Sequence, residues 1–421
     1  MARAGPKRTI PSAAERPAPT RRWPAQVLAG AAIVVAVFLL LRWMNPGEDT
    51  DEGLSGAEPA RPETQTAAPG APSPTENPRA AKAAPPDPQF LARLQRNAAR
   101  RWLRDTPYSA DIVDLVATAR IPEAAALLES RSAAGDRDAT VVLLQVQMLC
   151  QSPEEVRRNA REPEPIALDP QLARAAPVPN DLRERMEASY RADLETRAKL
   201  EQSCREARLN DPAIVQRVRA AADAGHEASL WALGRFFDDA EQRKRHWLSA
   251  AMLGYPAAQA ALAQTLLEES LQGDRRNRGQ MNFWLQTAAK HSPSIKAQLG
   301  ECVLNGCNAQ PPDTGAAATL LREATLLGER SAFDALATIS RGDPLAPSEE
   351  ELYGLRSFLQ RLNETGCYGA ASYPVFALEN LRSLRDIGRG LSPHSLDEAE
   401  KLGAARWHNH NVAARRAQYC E

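Results

Sequence analysis

The pattern of apolar and polar residues divides the chain into three parts. From Trp23 to Leu41 only Gln26 is polar, so this run is apolar on every side. Residues 45–88 contain ten prolines, one leucine and no aromatic residue. From Phe90 onwards apolar residues recur three and four positions apart, as on one side of a helix, and strand-like alternation is nearly absent. The pattern therefore predicts an all-α fold that follows an apolar span and a polar linker.

The apolar run predicts a transmembrane helix. From Pro24 to Leu41 it would extend about 27 Å as a helix, close to the thickness of a bilayer core, and Trp23 and Trp43 flank it. A cleaved signal peptide is the alternative, but no Ala-x-Ala-like cleavage site follows Leu41. Six basic residues and one acid precede the run, while four acids follow it closely. This asymmetry predicts a cytoplasmic N-terminus and a C-terminal region across the membrane.

The polar stretch that follows predicts a disordered spacer. Its apolar residues are too few to offset the entropy lost when a chain becomes ordered. Its 44 residues would extend from about 36 Å as a flexible coil to about 136 Å as polyproline II helix. We expect this linker to hold a folded module away from the membrane.

A repeat of 37 residues runs through the helical region. Its segments read WLSAAMLGYPAAQAALA, WLQTAAKHSPSIKAQLG and LREATLLGERSAFDALA. Gly254 and Gly328 suit a left-handed residue at the end of a first helix. Since one hairpin cannot bury its own apolar face, the repeat predicts an α-solenoid of stacked helical hairpins. The predicted core positions are Trp247, Trp284, Leu321, Leu262, Leu299 and Leu336.

Less regular copies accompany the repeat. A glycine followed by a leucine at similar spacing recurs at Gly225 and Gly135, and a further degenerate copy is predicted through Phe358, Leu362 and Gly366. The number of copies stays open. A ligand box built from the tryptophans is an alternative to core packing, and we favour core packing.

The repeat resembles the Sel-one-like branch of the tetratricopeptide-type repeats. The best-matching segment, AQLGECVLNG, runs from Ala297 to Gly306, and the match continues with Asp313, Ala316, Leu320, Ala324, Gly328 and Ala332. The resemblance covers 214–342 well and 121–150 loosely, but the copy near Gly225 lacks the Gly-rich loop. It implies an adaptor scaffold for protein–protein interaction, of the kind that many bacterial members form in the cell envelope.

The cysteines predict disulfides, because all six follow the apolar run and an even number is typical of exported domains. Cys302 and Cys307 can close a short loop where a helix ends. Nearest-neighbour pairing of the others gives the bonds Cys150–Cys204 and Cys367–Cys420. A zinc site needs four ligands, and no second close Cys or His pair is present. Free, buried cysteines are the remaining alternative.

Catalytic motifs are missing from the sequence, which has no P-loop, GxSxG or HExxH pattern. His408 and His410 lie two residues apart in a predicted helix, so they point to nearly opposite sides and cannot easily share a metal. His226 is isolated. We therefore expect no catalytic residue, metal or cofactor. The alternative is an envelope enzyme or enzyme subunit whose chemistry lies in the C-terminal helical region.

The sequence as a whole predicts a single-pass protein of the bacterial inner membrane with a periplasmic helical scaffold. Its 52 basic and 53 acidic residues exclude a strongly basic nucleic-acid binder. We expect it to bind other envelope proteins, whose identity the sequence does not give, through the concave face of the stack. The predicted parts are a basic cytoplasmic tail (1–22), a transmembrane signal anchor (23–44), a Pro-rich disordered linker (45–88), an N-terminal helical region with a degenerate repeat (89–210), Sel-one-like repeats (211–342) and a C-terminal helical cap region (343–421).

Overall fold

The computed structural model of the protein describes residues 87–154, 156, 178–236, 239–274, 276–307, 311–340, 342–368 and 372–410. The predicted tail, the predicted anchor and all but the last two residues of the predicted linker lie outside these ranges. Among the helices within them, none is both long and apolar enough to cross a membrane.

Regular structure in the described ranges is entirely α-helical, as the sequence predicts. Most helices pack against helices that follow or precede them closely in the chain. The helices are α1 (Pro88–Trp102), α2 (Ala110–Ala117), α3 (Ile121–Ala133), α4 (Arg137–Gln151), α5 (Asn180–Ala207), α6 (Pro212–Asp223), α7 (Glu227–Phe236), α8 (Ala240–Met252), α9 (Pro256–Leu271), α10 (Arg278–Ala288), α11 (Pro293–Asn305), α12 (Thr314–Leu326), α13 (Arg330–Ala337), α14 (Glu349–Glu364), α15 (Ser372–Gly388) and α16 (Pro393–His410).

Short polar side chains cap several helix starts. Ser292 accepts a hydrogen bond from the N–H of Ile295 at the start of α11. Ser348 accepts one from the N–H of Glu351 at the start of α14. The sequence predicts both caps, from Pro293 after Ser292 and from the capping-box spacing of Ser348 and Glu351, and both are confirmed. The first N–H groups of a helix have no acceptor within that helix, and at each of these starts the serine oxygen accepts the hydrogen bond that water would otherwise accept.

The spacing of Ser395 and Glu398 in the sequence is that of a capping box and predicts a helix start at Ser395, which is wrong. Helix α16 already begins at Pro393, and Ser392 accepts the hydrogen bond from the N–H of Ser395. A proline suits the first turn of a helix because it has no N–H to leave unpaired there. The Ser392-Pro393 pair therefore starts the helix before Ser395 is reached.

Three consecutive helix pairs follow the 37-residue repeat. They are α8–α9, α10–α11 and α12–α13, and their second helices begin 37 residues apart at Pro256, Pro293 and Arg330. Gly254 and Gly328 end two of the first helices with φ of +96° and +87°, which confirms their predicted left-handed conformation. The repeat in the sequence is thus a repeat of helix pairs.

The middle pair turns differently. In this pair, His291 stands at the repeat position that Gly254 and Gly328 occupy in the other two. A residue with a Cβ rarely takes a positive φ, and His291 does not adopt one. The N–H groups of His291 and Ser292 instead both donate to the carbonyl of Ala288.

The less regular copies are also helix pairs. Gly135 joins α3 to α4 with φ of +92°, and Gly225 joins α6 to α7 with φ of +81°. Gly366, with φ of +80°, follows α14, and α15 begins six residues later. Paired helices therefore extend on both sides of the regular repeat.

The sequence from Asn180 to about Leu209 predicts a long charged helix with an apolar stripe of Leu182, Met186, Tyr190 and Leu194. The helix is α5, and the predicted stripe is partly wrong. Leu182 and Met186 are buried, but Leu194 is 44% exposed. Asp193 takes the buried position beside it, where its carboxylate pairs with Arg197 at 2.6 Å. The ion pair with Arg197, one helix turn away, offsets the free-energy cost of burying the carboxylate of Asp193, so this side of the helix can stay buried.

The two ends of the helix array meet. A stack of hairpins needs contacts only between neighbours. Here a buried cluster joins α1, α5 and α15, and Phe90 packs edge-on against Tyr373 with ring centroids 5.1 Å apart. The side chain of Asn97 donates a 2.8 Å hydrogen bond to the carbonyl of Gly366, 269 residues away. The array of helix pairs is therefore closed between its first and its later helices.

Candidate functional site

Two disulfides lie wholly within the described residues and pair four of the six cysteines. Cys150 and Cys204 are joined between α4 and α5, with Cα atoms 5.2 Å apart, and Cys302 and Cys307 are joined across the end of α11, with Cα atoms 4.9 Å apart. Cys367 also takes part in a disulfide. Cys420 lies outside the described residues, so the Cys367–Cys420 bond stays a prediction.

The six predicted core positions of the repeat are not equivalent. Leu321, Leu336, Leu262, Trp284 and Leu299 are all buried. Trp247 is only partly buried, and it lines a cavity together with residues from both ends of the array.

This cavity is the candidate functional site. It has a volume of about 940 Å³ and lies between α1, the repeat helices and the segment from α14 to α15. Its walls come from parts of the chain far apart in sequence, such as Arg100 and Glu379. The cavity therefore exists only because the ends of the array meet. Its volume is that of a site for a small molecule or a short peptide segment.

The repeat contributes three helix starts to the cavity wall. Pro256, Pro293 and Arg330 each begin the second helix of a pair, and all three line the cavity. The N-terminus of a helix carries a partial positive charge from its unpaired N–H groups. At α9 the preceding residue, Tyr255, supplies no side-chain cap. The starts of α11 and α13 are capped by the hydroxyl of Ser292 and the carboxylate of Glu329, so of the three only the start of α9 has no side-chain cap.

Charged side chains also lie on the wall. Among the residues that the structure describes, six arginines and four carboxylates line the cavity. The arginines are Arg100, Arg101, Arg104, Arg235, Arg243 and Arg330. The carboxylates belong to Asp105, Glu329, Asp334 and Glu379.

Each of the four carboxylates interacts with a neighbouring protein group. Glu379 pairs with Arg330, Asp334 with Arg356 at 3.1 Å and Asp105 with Arg104 at 3.7 Å. Glu329 accepts a 2.9 Å hydrogen bond from the hydroxyl of Ser331 at the start of α13. Each of these carboxylates is therefore oriented by a protein contact of its own.

Arginines and aromatic rings alternate along the wall. The guanidinium carbon of Arg235 lies 4.7 Å from the ring centroid of Trp231, and that of Arg243 lies 6.0 Å from the ring centroid of Trp247. Across the cavity, Arg330 lies 3.6 Å from the ring centroid of Phe376. Such contacts hold a guanidinium group in place without neutralising its charge.

A hydrogen bond across the array fixes one corner of the cavity. The hydroxyl of Tyr255, in the α8–α9 turn, donates to the carbonyl of Asp105 at 2.7 Å. Burial strongly raises the pKa of this hydroxyl, and the nearby carboxylate of Asp105 adds to the shift. Tyr255 therefore stays a proton donor over the physiological range, and the turn after α1 is held against the repeat.

Burial also affects two other polar groups of the wall. It lowers the pKa of His291, so the imidazole is neutral at pH 7, and it raises the pKa of Tyr108. The positive charge of the wall therefore comes from arginines, whose charge does not depend on pH in this range.

A Ser-His-Asp arrangement lies at the start of α7. His226 Nδ1 is 2.8 Å from the hydroxyl of Ser229, and His226 Nε2 is 3.2 Å from a carboxylate oxygen of Asp138. The sequence analysis treated His226 as isolated, and this is corrected here. Ser229 is fully buried, so its hydroxyl cannot reach a substrate. The arrangement ties the start of α7 to α4, and we assign it no catalysis.

The described residues contain no group of three His, Cys, Asp or Glu side chains that could hold a metal ion. His408 is exposed on α16, and the side chain of His410 lies outside the described residues.

The sequence analysis missed the arginines of the cavity. Their local pattern is that of solvated side chains, since Arg100 and Arg101 lie in the last turn of α1 and Arg104 lies just after it. Only the meeting of the two ends shows that these side chains share a cavity with Arg235 and Arg243. The nearest signal was the ligand-box alternative for the repeat tryptophans, of which Trp247 lines the cavity.

Comparisons with known proteins give little more. No family model and no curated protein matches the chain. One solved structure with some similarity is "Crystal structure of c5321: a protective antigen present in uropathogenic Escherichia coli strains displaying an SLR fold". It shares 16% sequence identity and a TM-score of 0.37, over 70% of this chain and 60% of that chain. The chain thus spans about 60% of that protein's length, and its helical-repeat fold rests on the helix pairs described above.

Proposed function

We propose that this protein is a membrane-anchored, helical-repeat scaffold of the bacterial cell envelope that holds a short segment of a partner protein in this cavity. The observation that carries the proposal is the cavity itself, which helices from both ends of the array and from the repeat enclose together. A closed array of helix pairs offers a fixed surface for recognition, and its carboxylates are engaged in protein contacts rather than poised for acid–base chemistry.

The envelope location rests on two features of the chain. The apolar run at 23–44, with basic residues before it and acids after it, supports a single helix with a cytoplasmic N-terminus. The disulfides Cys150–Cys204 and Cys302–Cys307 support a periplasmic position for the folded part, because disulfides persist in oxidising compartments. The linker at 45–88 then places the scaffold away from the membrane.

A photo-crosslinking residue in living cells tests the scaffold function. In one strain the photo-crosslinking amino acid replaces Ala261, which lines the cavity. In the matched control strain it replaces Leu271, which is 71% exposed and lies outside the cavity. A discrete adduct from Ala261 that Leu271 does not give supports the proposal. Equal adducts from both positions, or none from Ala261, contradict it.

A reporter fusion tests the orientation separately. Alkaline phosphatase, which needs periplasmic disulfides, should be active when it is fused after Glu421. A cytoplasmic fluorescent reporter that does not fold after export should be dark at the same position. The reverse result would contradict the proposed topology.

A further inference from the structure

We propose that the cavity has an internal occupant, the chain's own residues 411–421, which a disulfide between Cys420 and Cys367 fastens at the cavity wall. Residues 411–421 lie outside the described residues. The inference goes beyond the proposed scaffold function, and its test needs no partner protein.

The tether follows from the disulfide of Cys367. This cysteine takes part in a disulfide, whereas the other four cysteines of the described residues are paired with one another. The sequence contains six cysteines, so within one chain Cys420 is the sulfur that this leaves for Cys367. Cys367 is 6% exposed and lines the cavity. A disulfide holds its two Cα atoms within about 7 Å of each other, so Cys420 has to come to the cavity wall.

The residues on both sides of Cys367 are bonded to other parts of the cavity wall. The carbonyl of Gly366 accepts a hydrogen bond from the side chain of Asn97 in α1. The hydroxyl of Tyr368 donates a 2.8 Å hydrogen bond to the carbonyl of Gly328. Asn97 and Gly328 both line the cavity. Cys367 is therefore fixed between α1 and the turn before α13, and its disulfide brings the occupant to this end of the cavity.

The direction of α16 leads the chain towards Cys367. The hydroxyl of Tyr353 in α14 donates a 3.4 Å hydrogen bond to the carboxylate of Glu400 in α16. Further along both helices, the ring centroids of Phe358 and Trp407 are 6.5 Å apart. The two helices thus run in the same direction, and Trp407 packs against the buried cluster that contains Cys367. The end of α16 therefore lies on the Cys367 side of the array.

The length of chain after α16 is sufficient for the bond. About 9 Å of helix separates Phe358 from the end of α14, and Cys367 follows three residues later. Ten residues lead from His410 to Cys420, and they can extend over up to about 33 Å. The segment can therefore reach Cys367 without moving α16.

The side chain before Cys420 suits this end of the cavity. Tyr419 precedes Cys420, and Tyr368 and Phe376 line the cavity beside Cys367. The rings of Tyr368 and Phe376 pack edge-on, with centroids 4.9 Å apart. A third ring extends such packing and removes apolar surface from water. We therefore expect Tyr419 to lie against these two rings, inside the cavity.

A tethered occupant changes what the cavity can bind. A segment of the same chain is present at a high effective concentration, which a separate polypeptide does not reach. A second segment binds only where residues 411–421 leave space or after they have moved away. For the proposed scaffold, the tether thus limits the access of a partner.

Photo-crosslinking in the purified full chain, in a mild detergent, tests the placement. Benzoylphenylalanine, an aromatic photo-crosslinking residue, replaces Tyr419. In the control it replaces Leu402, which is 43% exposed on α16 and lies outside the cavity. Position 419 should give adducts within the chain to the cavity-lining segment 327–331, and position 402 should not. If the adducts from position 419 miss this segment, for example because they lie on α16 or join two chains, the proposal is overturned.

Cysteine variants test the tether. C420S frees the segment, so the yield of the adduct from position 419 to 327–331 should fall at least about tenfold. The control C302S/C307S removes a disulfide outside the cavity and should leave this yield unchanged. Peptide mapping of the wild type without reduction needs no variant and should return Cys367 linked to Cys420. An equal yield in C420S, or an alkylated Cys420 in the wild type, would refute the tether.

The two proposals fail in different ways. If position 419 crosslinks inside the cavity but Ala261 forms no adduct in cells, the internal occupant stands and the scaffold function fails. If Ala261 forms its adduct but position 419 does not crosslink to the cavity wall, the scaffold stands and the internal occupant fails.

Discussion

Gly234 lies so close to the indole of Trp247 that a Cβ atom on Gly234 would be 2.4 Å from both Cδ1 and Nε1 of the ring. The contact joins α7 to the first helix of the next pair. The same relationship recurs at Gly300, where a Cβ would be 2.9 Å from Cγ and Cδ2 of Leu321. A glycine one residue after the repeat leucine therefore lets a large side chain of the following pair pack directly on the helix backbone.

The first prediction is that Gly234→Ala destabilises the protein. An indole ring is rigid, so the new methyl group forces the ring or the helix to move, which typically costs about 1–3 kcal/mol. Urea unfolding followed by circular dichroism measures the loss. The control is Gly279→Ala in α10, where a Cβ meets no atom within 4 Å and the helix gains propensity. An equal effect at both glycines would show that Trp247 does not pack on Gly234.

The second prediction concerns the repeat core. Trp284 is 7% exposed, and Trp284→Ala should lower the free energy of unfolding by about 3–5 kcal/mol because it leaves a cavity between helix pairs. Its neighbour Phe283 is 58% exposed, so Phe283→Ala should cost much less, below about 1 kcal/mol. Melting temperatures of the two variants check the register. A larger loss for Phe283→Ala would mean that the buried side of α10 is misassigned.

The local part of the fold could be predicted from the sequence. Helix starts at Ser292 and Ser348, and the left-handed glycines at 254 and 328, depend on side chains within a few residues of one another. The period of 37 residues is also a local signal, because each copy has the same neighbours. The cap at Ser395 failed because two serines compete there, and the proline after Ser392 decides between them.

The third prediction compares two disulfides. Cys150 and Cys204 are 54 residues apart, whereas Cys302 and Cys307 are five apart. In the chain-entropy model the longer loop contributes about 4 kcal/mol and the shorter about 2 kcal/mol, because the longer loop restricts the unfolded chain more. Each contribution is measured by replacing both cysteines of one pair with serine and comparing the urea unfolding of that variant with the wild type.

Peptide mapping without reduction checks the pairing itself. It should return Cys302 linked to Cys307, and Cys150 linked to Cys204. Cys302 joined to Cys367 would contradict the local loop at the end of α11.

The fourth prediction tests whether the ends of the array act together. Leu94 in α1 is fully buried, and it lies where a Cβ on Gly366 would come within 3.1 Å of its Cδ2. Leu94→Ala should cost about 2–5 kcal/mol and should raise amide exchange in α15 as well as in α1. Hydrogen-exchange mass spectrometry reads both helices. If exchange rises in α1 alone, the ends do not stabilise each other.

The contact between the ends was beyond the reach of sequence patterns. Phe90 and Tyr373 each follow an ordinary helical apolar pattern, and nothing in either pattern names the other as partner. The cavity depends on this contact, so its arginines could not be grouped from the sequence. Contacts between helices far apart in sequence depend on how the shapes of their surfaces fit together. The periodicity of apolar residues within one helix carries no information about that fit.

The fifth prediction is a pH dependence from His291. Burial lowers the pKa of its imidazole below the usual 6.5, while a hydrogen bond to the backbone of Pro256 opposes the shift. As the pH falls through about 6.5, the unfolded chain binds a proton that the folded state still excludes, so the free energy of unfolding decreases. His291→Gln keeps a polar side chain and cannot titrate. Urea unfolding at a series of pH values between about 7.5 and 5.5 should therefore show a larger loss of stability for the wild type than for His291→Gln. Parallel losses would mean that His291 has the same pKa in both states, and that the wall of the cavity at α11 is open to water.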